Sequence, residues 1–159
     1  MNELQNPMTG FKLLEQAFSE GFRMRQISGS KDVYIEIDQG LIGMRYTYAR
    51  LEGLKVQQLA VLDQVQPLNG LPCFSFFYGT LEELRGKGLT PPFIEYVLKQ
   101  FAKDLHANYG NQYYIESLIE TNNEASLTIA KKIFGEPSHD GVDEESGIPT
   151  RIWQFKESR

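Results

Sequence analysis

A short turn with two glycines and two basic residues is the part of the sequence best suited to chemistry. It reads Arg85-Gly86-Lys87-Gly88, and a helical pattern begins soon after it, near Thr90. Glycine lets the backbone approach a ligand closely and adopts positive φ at little cost. Successive N–H groups in such a turn form a concave anion site, to which the start of a helix adds partial positive charge. With the full charges of Arg85 and Lys87, the turn suits a diphosphate.

Two common phosphate motifs are excluded by the same residues. No Lys-Ser or Lys-Thr pair ends the turn, so it is not a P-loop, and it lacks the three-glycine spacing of dinucleotide-binding turns. Taken on its own, the turn also fits a glycine-rich surface loop with two solvated cations.

The spacing of apolar residues predicts the elements that carry this turn. Helical spacing occurs in three segments, residues 9–22, 91–106 and 121–134. Gly21 is expected to end the first helix, and Thr121 with Glu124 forms a capping box before the third. Alternating or dense apolar runs predict strands at 33–38, 42–50, 56–65, 74–80, 113–119 and 152–155, and polar segments predict loops at 67–72 and 140–147.

The order of these elements indicates the fold class. A helix and a run of four strands come first, and helices then alternate with single strands. A meander followed by alternating elements predicts an α+β fold, with a mixed, mostly antiparallel sheet and flanking helices. The basic turn would lie between the fourth strand and the second helix.

Length and composition limit the possible classes of protein. The 159 residues suit one domain spanning 1–159, with ordinary shares of apolar (41%) and charged (23%) residues. The formal net charge of -5 argues against a nucleic-acid partner. No apolar stretch is long enough to span a membrane, and the first residues lack the features of a signal peptide. We therefore expect a cytoplasmic protein with no membrane partner.

Three other features have ordinary structural interpretations. Cys73 stands alone in an apolar run, so we predict a buried small side chain rather than a nucleophile. The aromatic residues at 74–78 have strand spacing and are predicted to be core rather than a stacking surface for bases. His106 and His139 are far apart in the sequence, and the residues around them lack metal-ligand spacing, so no metal site is predicted.

The basic turn resembles the acetyl-CoA motif of the GNAT superfamily of N-acetyltransferases. That motif is Arg or Gln, two residues, Gly, one residue, then Gly or Ala. Arg85 and Gly88 match it, whereas Thr90 stands where the superfamily keeps a small residue. Pro91-Pro92 is a further departure, because it removes two N–H groups that could bind a ligand.

The third predicted helix is similar to the closing helix of the same superfamily. That helix begins with Asn, has Ala or Ser three residues on, and ends in Lys followed by a Gly-Phe pair. Asn123, Ser126 and Lys132 match these positions, and the final pair is inverted to Phe134-Gly135. The resemblance covers about residues 70–135 and is weak before them, where the usual strand ahead of the first helix is missing.

The resemblance implies acetyl-CoA as cosubstrate and assigns residues to it. In the superfamily, the strand before the turn splays from its neighbour and pairs with the pantetheine arm, and Tyr78, Gly79 and Thr80 match it. Asn123 would contact the coenzyme near its thiol end. Either the branched side chain of Thr90 crowds the site and the diphosphate lies farther out, or the Thr90 hydroxyl donates to it directly. The diphosphate itself would lie on Arg85, Gly86, Lys87, Gly88, Leu89, Thr90 and Pro91.

The superfamily transfers acetyl directly to an amine, which requires a base and often an acid. The base is often a Glu on the strand before the closing helix, where Glu116 stands, although its distance to Asn123 is longer than usual. A solvated strand residue is the competing interpretation of Glu116. The position of the usual acid, a Tyr on the closing helix, is Ala130 here. Its replacement would be water or one of four tyrosines, Tyr46, Tyr48, Tyr78 and Tyr114.

Three functions are compatible with the sequence. The leading one is an acetyl-CoA-dependent N-acetyltransferase with an unidentified amine acceptor. The second is a catalytically silent module of the same fold that binds acetyl-CoA or CoA as a sensor or interaction domain, which the absence of a Tyr at Ala130 favours. The third is an interaction domain whose turn binds nothing. Homodimers are common for the fold, and the sequence leaves this assembly open.

Overall fold

One eight-stranded sheet forms the centre of the part of the chain that the structure describes. The computed structural model describes residues 7–109, 112–144 and 146–158. The strands are β1 (Arg25–Gln26), β2 (Val33–Gln39), β3 (Met44–Glu52), β4 (Lys55–Leu68), β5 (Leu71–Thr80), β6 (Gln112–Glu120), β7 (His139–Val142) and β8 (Pro149–Ser158). Their order in the sheet is β1-β2-β3-β4-β5-β6-β8-β7. All neighbours are antiparallel except β5 and β6, which confirms the predicted fold class.

Within the described ranges, three α-helices cover the two faces of this sheet unequally. Helix α1 (Pro7–Ser19) packs on one face, where its Phe11 and Phe18 meet Leu59 and Val61 of β4. Helices α2 (Thr90–Tyr109) and α3 (Glu124–Phe134) pack on the other. The alternation of each strand explains this division, because successive side chains point to opposite faces.

The larger core lies under α2 and contains an aromatic cluster. Phe101 is fully buried there. Its ring centroid lies 5.1 Å from that of Tyr46, 5.0 Å from that of Phe74 and 5.6 Å from that of Tyr113, all at steep angles. Such edge-to-face contacts add to the stabilisation from burial. The predicted core role of the aromatic run in β5 is confirmed at Phe74.

Phe101→Ala should lower the free energy of unfolding by about 3–5 kcal/mol, because it removes a buried ring and leaves a cavity. Urea denaturation would measure the change. Leu54→Ala is the control, since Leu54 is 45% exposed and its truncation should change stability by no more than about 0.5 kcal/mol. A cost at Phe101 below about 1 kcal/mol would contradict the central place of this ring in the core.

The parallel pair β5 and β6 is joined over a short length and then separates. Register pairs between β5 and β6 run from Cys73 with Tyr114 to Ser75 with Glu116, and these two strands do not pair with each other beyond that point. Beyond these residues the two strands diverge toward Thr80 and Glu120. This splay was predicted near residues 78–80, and it leaves an opening in the middle of the sheet.

Several boundaries predicted from the sequence were wrong. The end of helix α1 is not one of them, because Gly21 terminates it as expected: its φ is +101°, and the Phe22 N–H donates back to the Ala17 carbonyl at 3.0 Å. The side chain of Asn123 caps α3 by accepting from the Ser126 N–H at 3.2 Å, so Thr121 and Glu124 do not form the capping box. The predicted loop 140–147 contains most of β7, and the loop 67–72 is reduced to a turn at Asn69 and Gly70.

Cys73 is buried in β5, as predicted, with 1% of its surface exposed. Burial raises the pKa of its thiol to about 11, so it stays protonated at neutral pH. None of the described helices is both long and apolar enough to cross a membrane.

Candidate active site

The splay between β5 and β6 opens into a cavity of about 410 Å³. Its walls come from the end of β5, the basic turn, the first turn of α1 and the start of α3. The lining residues are Met8, Tyr78, Gly79, Thr80, Arg85, Gly86, Thr90, Asn123, Ala125, Ser126 and Ile129. A volume of this size is typical of sites for small molecules and cofactors.

The basic turn has the backbone conformation that its glycines predict. Gly86 and Gly88 have φ of +74° and +72°, and a Cβ on either would meet no atom within 4 Å. The turn therefore needs glycine for its conformation rather than for lack of space. Arg85, Lys87 and Gly88 are exposed. Both cations are thus exposed to solvent at the mouth of the cavity, where an anion could meet them.

A buried amide on β4 holds the turn against β5. Gln58 has no exposed surface, and its Nε2 donates to Thr80 Oγ1 at 3.0 Å and to the Leu89 carbonyl at 3.2 Å. The Arg85 Nε donates to the Thr80 carbonyl at 3.0 Å. These bonds tie the turn to the end of β5 near its start, at Arg85, and to β4 near its end, at Leu89. They fix the turn before any ligand is bound.

Thr90 takes part in the same network. Its Oγ1 lies 2.7 Å from Thr80 Oγ1, and either hydroxyl can be the donor. When Thr80 donates its proton to Thr90, the proton of Thr90 is available to a ligand in the cavity. The branched side chain at Thr90 therefore ties the turn to the strand instead of only crowding it.

Seven of the eleven residues predicted to bind the coenzyme line the cavity: Tyr78, Gly79, Thr80, Arg85, Gly86, Thr90 and Asn123. Of the other four, Lys87, Gly88 and Leu89 belong to the same turn and Pro91 to the first turn of α2, and all four lie outside the lining. Sequence reasoning missed Met8, Ala125, Ser126 and Ile129. Ser126 had a signal, since it matches the small residue of the closing helix. Met8 had none, because it reaches the cavity through the packing of α1.

Glu116 lies where β5 and β6 begin to separate, outside the lining of the cavity. It is partly buried, and its Oε2 accepts from Gln154 Nε2 at 2.7 Å. Cross-strand partners share a face of a sheet. Glu116 is opposite Ser75, and Ser75 is opposite Asp63, which lies on the α1 face. Glu116 therefore faces the α1 side of the sheet, at the apex of the splay.

Of the four tyrosines considered as acids, Tyr78 lines the cavity. Its hydroxyl lies 3.5 Å from the Ser126 carbonyl of α3, and burial raises its pKa above the usual value. Tyr46 and Tyr48 are fully buried, and the Tyr48 hydroxyl donates to Asp104 at 2.8 Å. The Tyr114 hydroxyl accepts from Asn69 Nδ2 at 3.1 Å, near the opposite end of β5 from the turn.

Ala130, where the resemblance places the superfamily's acid, is a core residue. It has no exposed surface and packs with Ile119 and Trp153. A hydroxyl at this position would point into that core. Among the described residues, no group of three His, Cys, Asp or Glu side chains could hold a metal ion.

The cavity and the basic turn together are therefore suited to an extended ligand with an anionic end. A cationic turn lies at one end of the cavity, and the edge of β5 that has left β6 forms one side. Main-chain groups on such edges can pair with an extended ligand as they would with another strand. A phenol protonated at neutral pH stands inside, and a carboxylate stands at the apex.

Comparisons with known proteins give the fold but no close relative. No family profile matches the sequence, and no curated protein matches it. Solved structures of GNAT acetyltransferases do match. One is a GNAT-family acetyltransferase from Streptococcus pneumoniae, with a TM-score of 0.53 and 13% identity over 72% of this chain and 67% of that one.

Two further matches are described by their reactions. The spermidine/spermine N-acetyltransferase SpeG from Vibrio cholerae, in mutant forms, gives a TM-score of 0.54 and 14% identity over 70% of this chain and 66% of that one. An acetyltransferase from Salmonella typhimurium that modifies the N-terminal serine of ribosomal protein L7/L12 gives a TM-score of 0.53 and 12% identity, over 70% of this chain and 63% of that one.

The matched region thus spans about two thirds of these neighbours' length, and less in some of them. The parallel splayed pair, the turn after β5 and the closing helix lie in the part of the chain whose sequence carries the resemblance. This chain therefore has the fold of the GNAT acetyltransferases.

Proposed function

We propose that the protein is an N-acetyltransferase that transfers acetyl from acetyl-CoA directly to an amine. The observation that carries the proposal is the cavity in the splay, because its lining joins the glycine turn, the end of β5 and Asn123. The diphosphate would lie on the turn, the pantetheine arm along residues 78–80, and the thioester toward the apex. Acetyl-CoA is a cytoplasmic metabolite, so the proposal keeps the expectation of a cytoplasmic protein.

The proposed reaction needs no covalent enzyme intermediate. The neutral amine nitrogen attacks the thioester carbonyl, forming a C–N bond while the C–S bond breaks. One N–H proton passes to a base, and the leaving thiolate takes a proton. We assign the base to Glu116, directly or through water, and the acid to Tyr78. Both assignments are part of the proposal.

Isothermal titration with acetyl-CoA, followed by turnover on a panel of amines, tests the function. Binding with turnover supports the enzyme. Binding without turnover on any amine favours the alternative, a silent module that senses acetyl-CoA or CoA, which the core position of Ala130 makes a specific second candidate. No binding would leave an interaction domain of the same fold.

Tyr78→Phe should lower the rate of acetyl transfer by about 10²-fold, the lower end of the range for acid–base catalysis, because water can partly replace the phenol. The ring would keep its contact with Phe76, whose centroid lies 5.4 Å away, so acetyl-CoA affinity should change little. Single-turnover rates and coenzyme titration measure the two effects. An unchanged rate would show that the thiolate is protonated by another group.

A further inference from the structure

A second cavity lies on the α1 face of the sheet, under α1, and it is not part of the coenzyme site. We call it the α1 cavity; it has a volume of about 290 Å³. This is near the lower end, about 300 Å³, of the range for small-molecule sites. One part of its lining is apolar and comes from α1, from the segment just after it and from strands β4 and β5: Leu13, Leu14, Ala17, Phe22, Leu59, Val61 and Phe77.

The other part of the α1 cavity carries an excess of negative charge. Three carboxylates, Glu36, Asp38 and Asp63, line it together with one guanidinium, Arg45. Arg45 is already engaged by Asp38, to which its Nε donates at 3.0 Å and its Nη2 donates as well. The charge of Asp38 is thus paired, and Glu36 and Asp63 remain to attract a cation.

Asp63 is the carboxylate of the three that has a buried oxygen without a hydrogen-bond partner. It lies in the middle of β4, opposite Arg45 on β3 and Ser75 on β5. The unpartnered oxygen is Oδ1. Burial raises the pKa of Asp63, with Asp38 adding to the shift and Arg45 opposing it. A carboxylate that loses hydration without gaining donors is stabilised by a cation brought beside it.

The α1 cavity lies next to the cavity at the splay, which we propose binds acetyl-CoA. Leu59 lines the α1 cavity, and its cross-strand partner Gly79 lines the other. On α1, Gly10 lines the one and Met8 the other, two residues apart, which is about 3 Å along a helix. The two cavities are therefore adjacent along α1 and across the β4–β5 pair, and Asp63 lies in the same cross-strand row as Ser75 and Glu116 at the apex of the splay.

We propose that the α1 cavity is the acceptor site and takes a cationic amine with an apolar body, whose ammonium lies beside Asp63. The inference rests on the proposed function and names the substrate class for it. The apolar walls receive the hydrocarbon part, and the carboxylates receive the charge. Anionic and zwitterionic compounds of the same size are disfavoured by Glu36 and Asp63.

The test titrates simple probes into the free protein. 1,8-Diaminooctane and octylamine should bind, and octanoate should bind at least tenfold more weakly. Asp63→Asn, which keeps the shape of the side chain, should weaken the amines at least tenfold and leave octanoate unchanged. The control is Asp140→Asn, an exposed carboxylate on β7 that lies 3.9 Å from Arg151 and outside both cavities. The inference would be overturned if the parent and Asp63→Asn bound the amines equally well. It would also be overturned if the parent bound octanoate as tightly as the amines.

Acetyl-CoA titration of the same proteins separates the two proposals. If the parent and Asp63→Asn bind acetyl-CoA equally and the amines discriminate as expected, both hold. If acetyl-CoA binds and the amines do not, the acceptor inference fails alone. If the amines bind and acetyl-CoA does not, the proposed function fails and the cavity is an amine site of another kind.

The pH dependence of stability gives a readout that needs no ligand. An acid whose pKa is raised on folding destabilises the folded state once pH exceeds its unfolded pKa, because the charged form is penalised. Asp63→Asn should therefore have a higher Tm than the parent at neutral pH, and the difference should shrink as pH falls below the usual aspartate range. A lower Tm for Asp63→Asn at pH 7 would show that Asp63 is already paired and would contradict the inference.

Discussion

Gly88→Asp should remove measurable binding of acetyl-CoA and leave the protein folded. A Cβ at Gly88 meets no atom within 4 Å, and aspartate tolerates the positive φ of +72° better than most residues. The new carboxylate would stand beside the proposed diphosphate. At about 4 Å and an effective dielectric of about 20, each pair of like charges repels by about 4 kcal/mol, or about three orders of magnitude in affinity.

The turn between β4 and β5 supplies a matched control. Gly70 has a φ of +77° and, like Gly88, has no atom within 4 Å of a built Cβ, yet it lies at the other end of β5. Gly70→Asp should bind acetyl-CoA as the parent does. Gly88→Ala separates shape from charge and should lose far less affinity than Gly88→Asp. Coenzyme affinity that is unchanged in folded Gly88→Asp would end the assignment of this turn to the diphosphate.

Glu116→Gln should lower the rate of acetyl transfer by about 10²–10⁴-fold, the usual contribution of a general base. Glu116 stands at the last register pair of β5 and β6, on the face that also carries the α1 cavity. A base there could reach an amine that approaches the apex from that face, directly or through a water. The loss should be greatest at low pH, where more of the amine is protonated, and should shrink near the amine's own pKa.

Glu116→Gln should leave the structure unchanged, since the oxygen of the new glutamine can still accept from Gln154 Nε2. Acetyl-CoA affinity should barely change, because the turn and residues 78–80 are untouched. The rate is followed against pH with an acceptor found in the amine panel. A profile that overlays the parent's at every pH would make Glu116 a strand residue. The base would then have to be solvent or one of four other glutamates, Glu36, Glu52, Glu82 and Glu83, of which Glu36 lines the α1 cavity and the others do not.

Local sequence patterns were sufficient for the fold class and for the turn. The turn was predictable because glycine, arginine and lysine act through properties that each residue has on its own. Strand β7 was missed, because its residues are mostly exposed and polar, and its place depends on pairing with β8. Asn123 was recognised as a match to the superfamily, but its capping bond to Ser126 competes with the capping box at Thr121, and sequence alone does not rank the two.

The α1 cavity could not be predicted, because it depends on the register between strands. A sign was present at Asp63, which is a carboxylate inside the apolar run of β4. To recognise a charged cavity there, one must know that Arg45 is the cross-strand neighbour of Asp63 and that Asp38 is the neighbour of Arg45. These pairings are set by turns and bulges along three strands. Likewise, Met8 enters the cavity at the splay only because α1 packs against β4 and β5.

The short join between β5 and β6 leaves two open strand edges in the interior of a sheet. After Ser75 and Glu116, the facing sides of both strands have no strand partner, and one carbonyl, that of Phe76, is met by the Ser117 hydroxyl at 3.3 Å. Unpaired edges are where foreign strands add and where proteins aggregate. A bound pantetheine arm would occupy this gap, so the ligand-free protein should be the more prone to self-association. If the proposed coenzyme binds there, adding it during purification should also keep the protein in solution.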